Sequence, residues 1–261
     1  LYAIFRDPSL ALGGWQDGTA NDAYKMIVGS HNSATGAVLA ASNETRTGAA
    51  VFDNFNSFLH DIVGLPPSVG LTVWNYGPTQ KIVTYNLAPR DPALDPGYTA
   101  ANPITLDALV AFFEFLETPN WIEGAIGRAL ATPGYPLHDN YASPEAYRAD
   151  VLLAVDEAKR LMAIPDPEQV TELERALEHV RGAHPELTID WYGKNGTLRP
   201  IDWPEDRWHV NEVGVVTVSQ GERSLRCITA YSASRFENVP VLRSAVEYCV
   251  GLFNQGAEAG S

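Results

Sequence analysis

The chain has 261 residues, of which 45% are hydrophobic and 19% are charged, enough for one large globular domain or two small ones. Acidic residues outnumber basic ones by 32 to 18, which gives a formal net charge of −14. The basic residues are scattered, whereas nucleic-acid backbones and anionic membranes bind clustered cations. No hydrophobic run approaches the roughly 20 residues of a membrane span. We therefore expect a soluble, acidic protein that binds neither nucleic acids nor membranes.

Residue patterns in the first half predict short elements separated by loops. Residues 24–41 mix β-branched and small residues around two glycines, which favours two short strands. Apolar residues at steps of three and four over 52–62 predict an amphipathic helix that ends at Gly64. A hairpin is predicted over 71–87, and a proline-rich linker or functional loop follows at 88–103.

The middle of the chain carries the strongest helix signals. The pattern over 106–117 predicts a helix, and 118–142 is expected to be irregular. Ser143 before a proline predicts the start of another helix, which Pro165 ends. A third helix is predicted to end at Gly182, so the segment from Ser143 to Gly182 is expected to form an antiparallel helix pair.

Strand patterns return in the last third. Strands are predicted at 187–192, 213–218 and 225–231, with Asn195-Gly196 as a hairpin turn and 220–222 as the turn between the last two strands. A final helix is predicted from about Pro240, with a buried stripe of Leu242, Ala245, Val246, Cys249 and Phe253. The resulting fold class is α+β, in which an antiparallel sheet carries helices on one face and a helix pair lies in the centre. We expect a single domain over 1–261, with segment 88–103 as a candidate internal boundary.

Familiar catalytic and metal-binding motifs are missing from the sequence. None of the histidines or cysteines has the spacing of a zinc site, and there is no Gly-x-Ser-x-Gly motif or phosphate-binding loop. Cys227 and Cys249 both fall in apolar patterns and are predicted to be buried free thiols. We therefore predict no metal and no cofactor.

The densest chemistry lies at 188–209, where tryptophans alternate with carboxylates. Aromatic faces can stack on sugar rings, and paired carboxylates can act as acid and base at a glycosidic bond. Packing anchors and turn caps are the simpler interpretation of the same residues. The candidate catalytic residues are Asp190, Asp202 and Glu205, and the candidate binding tryptophans are Trp191, Trp203 and Trp208.

Segment 118–142 supplies a second set of candidates. Aromatic and polar residues on long loops often anchor binding partners. The candidate binding residues here are Trp121, Tyr135 and His138.

These observations favour a recognition protein that binds a protein or a small polar ligand through aromatic, acidic loops. The negative charge would favour a cationic partner. The alternative is a cofactor-independent hydrolase, for which glycosides are the first substrates to test. The sequence therefore does not decide whether the protein is an enzyme. A third interpretation is a subunit whose exposed apolar helix faces are covered by neighbours. The sequence does not assign the chain to a compartment.

Overall fold

A computed structural model describes thirteen stretches of the chain, and all structural statements below refer to them. They are residues 1–8, 22–29, 31–42, 49–67, 69–70, 73–74, 81–82, 106–133, 141, 143–164, 172–198, 209–234 and 238–258. The chain divides into two compact units, residues 1–161 and 162–261, which we describe separately. Compact units need not fold independently, so the single domain stays a prediction. The predicted linker at 88–103 lies outside the described residues.

The described part of the first unit consists mainly of helices, with one short hairpin. The α-helices are Tyr2–Arg6 (α1), Asp22–Ile27 (α2), Asn32–Ala41 (α3), Ala49–Ser57 (α4), Leu106–Glu117 (α5), Pro119–Ala131 (α6) and Pro144–Met162 (α7). A π-helix, Phe58–Val63, continues α4 and ends at Gly64, whose φ of 91° suits a residue without a Cβ. Strands Val73–Trp74 (β1) and Lys81–Ile82 (β2) pair antiparallel, as the predicted hairpin requires.

Two predictions for this unit are wrong. Residues 24–27 and 32–41 belong to α2 and α3 instead of strands, and α3 is rich in alanine, which has the highest helix propensity. Residues 119–131 of the segment expected to be irregular form α6. Pro119 starts that helix, and its glycines lie on the exposed side, where they do not disturb packing.

The described part of the second unit forms a three-stranded antiparallel sheet and two helices. The strands are Thr188–Leu198 (β3), His209–Gln220 (β4) and Arg223–Ser234 (β5), in the order β3-β4-β5. The helices are Glu172–Ala183 (α8) and Asn238–Glu258 (α9), and their buried residues form one core with a single face of the sheet. The chain is therefore α+β, as predicted.

The turn between β4 and β5 is confirmed, whereas the predicted turn at Asn195-Gly196 is wrong. Gly221 begins the β4–β5 turn with a φ of 60°, as two-residue hairpin turns require. Asn195 and Gly196 instead lie inside β3, opposite Glu212 and Asn211. Long-range pairing with β4 overrides the local turn preference. Helices α7 and α8 fall largely in different units, and their predicted pairing stays a prediction.

Candidate functional site

The structure describes three of the nine candidate site residues. Asp190, Trp191 and Trp121 lie on regular elements. The other six fall in 134–140 and 199–208, outside the described residues. They are Tyr135, His138, Asp202, Trp203, Glu205 and Trp208. The proposed carboxylate pair therefore stays a prediction, and so does the hydrolase that depends on it.

Asp190 and Trp191 lie on opposite faces of the sheet. They are consecutive in β3, and side chains alternate between faces along a strand. Trp191 packs on the helix-covered core, whereas Asp190 is exposed on the other face, opposite Thr217 of β4. These two residues therefore cannot line one face of a binding cleft together.

The Trp191 indole lies over two glycines that face each other across β3 and β4. Gly193 and Gly214 are cross-strand partners. A Cβ atom built on Gly214 would lie 2.7 Å from Cε2 of Trp191, closer than real Cβ atoms approach, and one on Gly193 would also meet the indole. The glycine pair thus provides the space that the indole fills. This arrangement is that of a packing anchor in the sheet.

Next to the glycine pair, on the same face of the sheet, lies a polar pair that the sequence did not indicate. Glu212 and Tyr231 are cross-strand partners, 3% and 9% exposed. Glu212 has the same strand parity as Val216 and Val218, which face the core, so strand alternation would have placed it inside. Segment 199–208, which joins β3 to β4, lies outside the described residues.

Trp121 is half exposed, but its surroundings do not extend into an apolar surface. Its side chain is 50% exposed on α6. One and two turns further along the helix lie Gly124, which has no side chain, and Arg128. Both Nε and Nη2 of Arg128 donate to the Ile62 carbonyl of the π-helix, at 3.0 and 2.5 Å. Single exposed apolar residues are common on protein surfaces.

Helix α9 exposes a continuous apolar line. Val241, Ala245, Tyr248 and Leu252 follow one another at steps of four, three and four, which places them along one side of a helix. Tyr248 is 68% exposed, Val241 43% and Leu252 36%, while Ala245 is partly buried. We call these four residues the α9 seam.

The α9 seam borders the face by which α9 packs on its own unit, since Ala245 is three residues from Leu242 and four from Cys249. The packing face consists of Leu242, Val246, Cys249, Val250 and Phe253, all at most 4% exposed. A surface helix typically has one apolar stripe. On α9 the apolar surface is wider than the packing face, and folding of the second unit leaves Val241, Tyr248 and Leu252 exposed.

The electrostatics around the seam are neutral. The exposed residues Ser244 and Gln255 flank it, and both are uncharged. The nearest ion pair on the helix joins Nε of Arg243 to Oε1 of Glu247 at 2.8 Å, on the side of α9 away from the seam. The seam is therefore an uncharged surface on a strongly acidic chain.

Among the described residues, no three His, Cys, Asp or Glu side chains are grouped so that they could hold a metal ion. Within the same residues, no helix combines the length and apolarity needed to cross a membrane. Comparisons with protein-family models, curated proteins and solved structures found no match to this chain.

Proposed function

We propose that this chain is a recognition protein that binds a partner protein through the α9 seam. The observation that carries the proposal is the exposed apolar line of α9, in which Tyr248 is 68% exposed, Val241 43% and Leu252 36%. Apolar surfaces of this kind mark sites of protein interaction when they are continuous. The proposal keeps the predicted class of function and moves the contact surface from the loops to a helix.

The spacing of the seam favours a helical segment in the partner. Apolar residues at alternating steps of four and three form the line along which two helices pack side by side. An amphipathic helix in the partner could lay its apolar side along Val241, Tyr248 and Leu252. The uncharged flanks remove the desolvation cost that charged residues would add at such a contact.

Charge supports the choice of a basic partner. The chain has a net charge of −14, and long-range attraction would speed its encounter with a positively charged protein. The neutral seam would then supply the short-range contact. We therefore expect a partner with a basic surface around an apolar helix, and an association rate that falls as ionic strength rises.

The test compares capture of proteins from a lysate of the source organism by four forms of the chain. The wild type is compared with Tyr248→Glu and Leu252→Glu, which place a charge in the seam. The matched control is Asn254→Glu, which adds the same charge at an exposed position on another side of α9. We expect one protein to be captured by the wild type and the control and lost from both seam variants.

Other outcomes would overturn the proposal. Equal capture by all four forms would place the contact elsewhere, and the absence of any protein with the expected pattern would remove the support for a partner. A doubled solution mass for the wild type that returns to the monomer mass in Tyr248→Glu would assign the seam to self-association. A separate capture experiment with Trp121→Ala tests the predicted contact on α6.

A further inference from the structure

The first unit contains a cavity of about 170 Å³, and every residue that lines it belongs to this unit. Its wall is formed mainly by apolar side chains of α1 to α4, which are Tyr2, Met26, Ile27, Val38, Leu39 and Phe55. Tyr2 and Leu39 are buried, whereas the other four are half-buried, so the cavity opens to solvent on one side. Protein interiors contain few voids larger than a water molecule. Packing of the helices alone therefore does not explain a cavity of this size.

Helix α3 turns one side toward the cavity and hides its polar groups. The residues on that side follow at steps of three, one and three, and they are Thr35, Val38, Leu39 and Ser42. The Thr35 hydroxyl donates to the His31 carbonyl at 3.2 Å, and the Ser42 hydroxyl donates to the Val38 carbonyl at 2.7 Å. Both hydroxyl protons are thus used one turn back along the chain. Since none of the described side chains that line the cavity is charged, its wall offers little to a polar ligand.

The cavity combines a rigid aromatic wall with one adaptable side chain. The ring centroid of Tyr2 lies 5.5 Å from that of Phe55 and 5.5 Å from that of Phe58, in edge-to-face geometry. Such contacts are favourable and hold the rings in place. Met26 contributes an unbranched thioether, which fills irregular gaps and makes favourable contacts with aromatic rings.

We propose that this cavity binds a small uncharged hydrocarbon group about the size of one six-membered ring. The volume and the apolar wall carry the inference, because apolar cavities of about 150 Å³ stay free of water and bind benzene. A charged or strongly polar ligand would lose hydrogen bonds to water that this wall does not replace. The site lies in the first unit and does not depend on the α9 seam.

The two methionines of the chain provide the test. Met26 lines the cavity, whereas Met162 is a half-buried residue that does not. The full chain is isotopically labelled at the methionine methyl groups and titrated with benzene in an NMR experiment. We expect a saturable shift of the Met26 signal, with a Kd on the order of 1 mM or below, and an unchanged Met162 signal. Pyrimidine, a polar ring of the same size, should shift neither signal.

Variants that fill the cavity locate the bound ring. Ala158→Leu places a larger side chain in the cavity from α7 and should abolish the Met26 shift. The matched control is Ala149→Leu, at an exposed position of the same helix, which should keep the shift. If Ala158→Leu fails to fold, Val38→Phe fills the cavity from a half-buried position on α3 and takes its place.

Four results would overturn the proposal. The first three are an unchanged Met26 signal up to the solubility limit of benzene, equal shifts of the two methionine signals, and an equal response to pyrimidine. The fourth is a Met26 shift that survives in the folded cavity-filling variant, since benzene would then bind outside the cavity.

Discussion

The two units hold their helices in place by different means. In the described part of the first unit, short helices are fixed by side chains that bond to the backbone of distant segments. The Tyr147 hydroxyl donates to the Phe5 carbonyl at 2.6 Å, and Nε of Arg6 donates to the Ser42 carbonyl at 3.3 Å. In the second unit a three-stranded ladder fixes the backbone, and two helices pack on it through apolar side chains. One arginine–carbonyl bond per helix adds to this packing, from Nε of Arg181 on α8 to Ile189 and from Nη2 of Arg223 on β5 to Phe253 of α9.

This difference is consistent with an exposed apolar surface on a helix of the second unit. Side-chain bonds to the backbone engage polar residues across the first unit, and even the exposed α6 contributes Arg128 to the π-helix. The ladder in the second unit needs no side chains, so α9 can hold the sheet with one face and leave another free. The α9 seam is consistent with this division.

The largest expected effect comes from filling the glycine pair beneath Trp191. Gly214→Ala would place a methyl group 2.5 Å from the Tyr192 carbonyl and against the indole, and neither neighbour can withdraw easily. We expect the free energy of unfolding to fall by about 3 kcal/mol, measured by urea denaturation.

Gly182→Ala in α8 is the matched control for this change. A Cβ at Gly182 meets nothing within 4 Å, and alanine favours the helix, so stability should stay the same or rise slightly. Equal stability of Gly214→Ala and the wild type would contradict the close packing of the indole on the sheet.

Loss of one long-range hydrogen bond should have an intermediate effect on the first unit. Tyr147 is fully buried, and Tyr147→Phe removes the bond to the Phe5 carbonyl while keeping the ring. We expect a loss of about 1.5 kcal/mol in unfolding free energy. The control is Tyr248→Phe, on an exposed tyrosine, which should change the free energy of unfolding little. An equal loss in both variants would contradict a stabilising hydrogen bond from the Tyr147 hydroxyl.

A smaller effect is expected at the start of α7. Ser143→Ala removes the hydroxyl that accepts from the backbone N–H of Ala146 at 3.2 Å, which should cost about 1 kcal/mol. Ser244→Ala, at an exposed position within α9, should cost nothing and serves as the control. Similar losses in both variants would contradict the capping role of Ser143.

The same cap predicts a dependence on pH. Hydrogen bonds from its own backbone N–H and from Ser143 hold the pKa of Glu145 below its ordinary value. A lowered carboxyl pKa contributes stability above the unfolded pKa, and that contribution is lost as the pH falls through the folded value. In Ser143→Ala the pKa of Glu145 should move up toward its ordinary value, as NMR titration would show, and an unchanged pKa would contradict the bond.

The sequence predicted the second unit better than the first. Strand alternation and the turn at Gly221 identified β4 and β5, because the periodicity of a half-buried strand follows directly from its packing. Helices α2 and α3 were missed because short segments with mixed propensity take the structure that distant contacts stabilise. The length of β3 was missed for the same reason, since only pairing with β4 keeps Asn195 extended.

The candidate site was predictable only in part. The sequence identified most of the buried stripe of α9, including Leu242 and Phe253, but the seam becomes visible only when the structure shows which stripe is covered. Glu212 could have been found from strand parity, had β4 been extended to it. Tyrosine and leucine on a helix look alike in a sequence whether they are buried or exposed.

The most direct test of the account is a calorimetric titration of the captured partner with purified wild type, Tyr248→Glu and Asn254→Glu, after confirming that all three unfold at similar temperatures. The account predicts at least a roughly tenfold weaker Kd for Tyr248→Glu and an unchanged Kd for Asn254→Glu. Equal affinities for the three proteins would contradict recognition through the α9 seam.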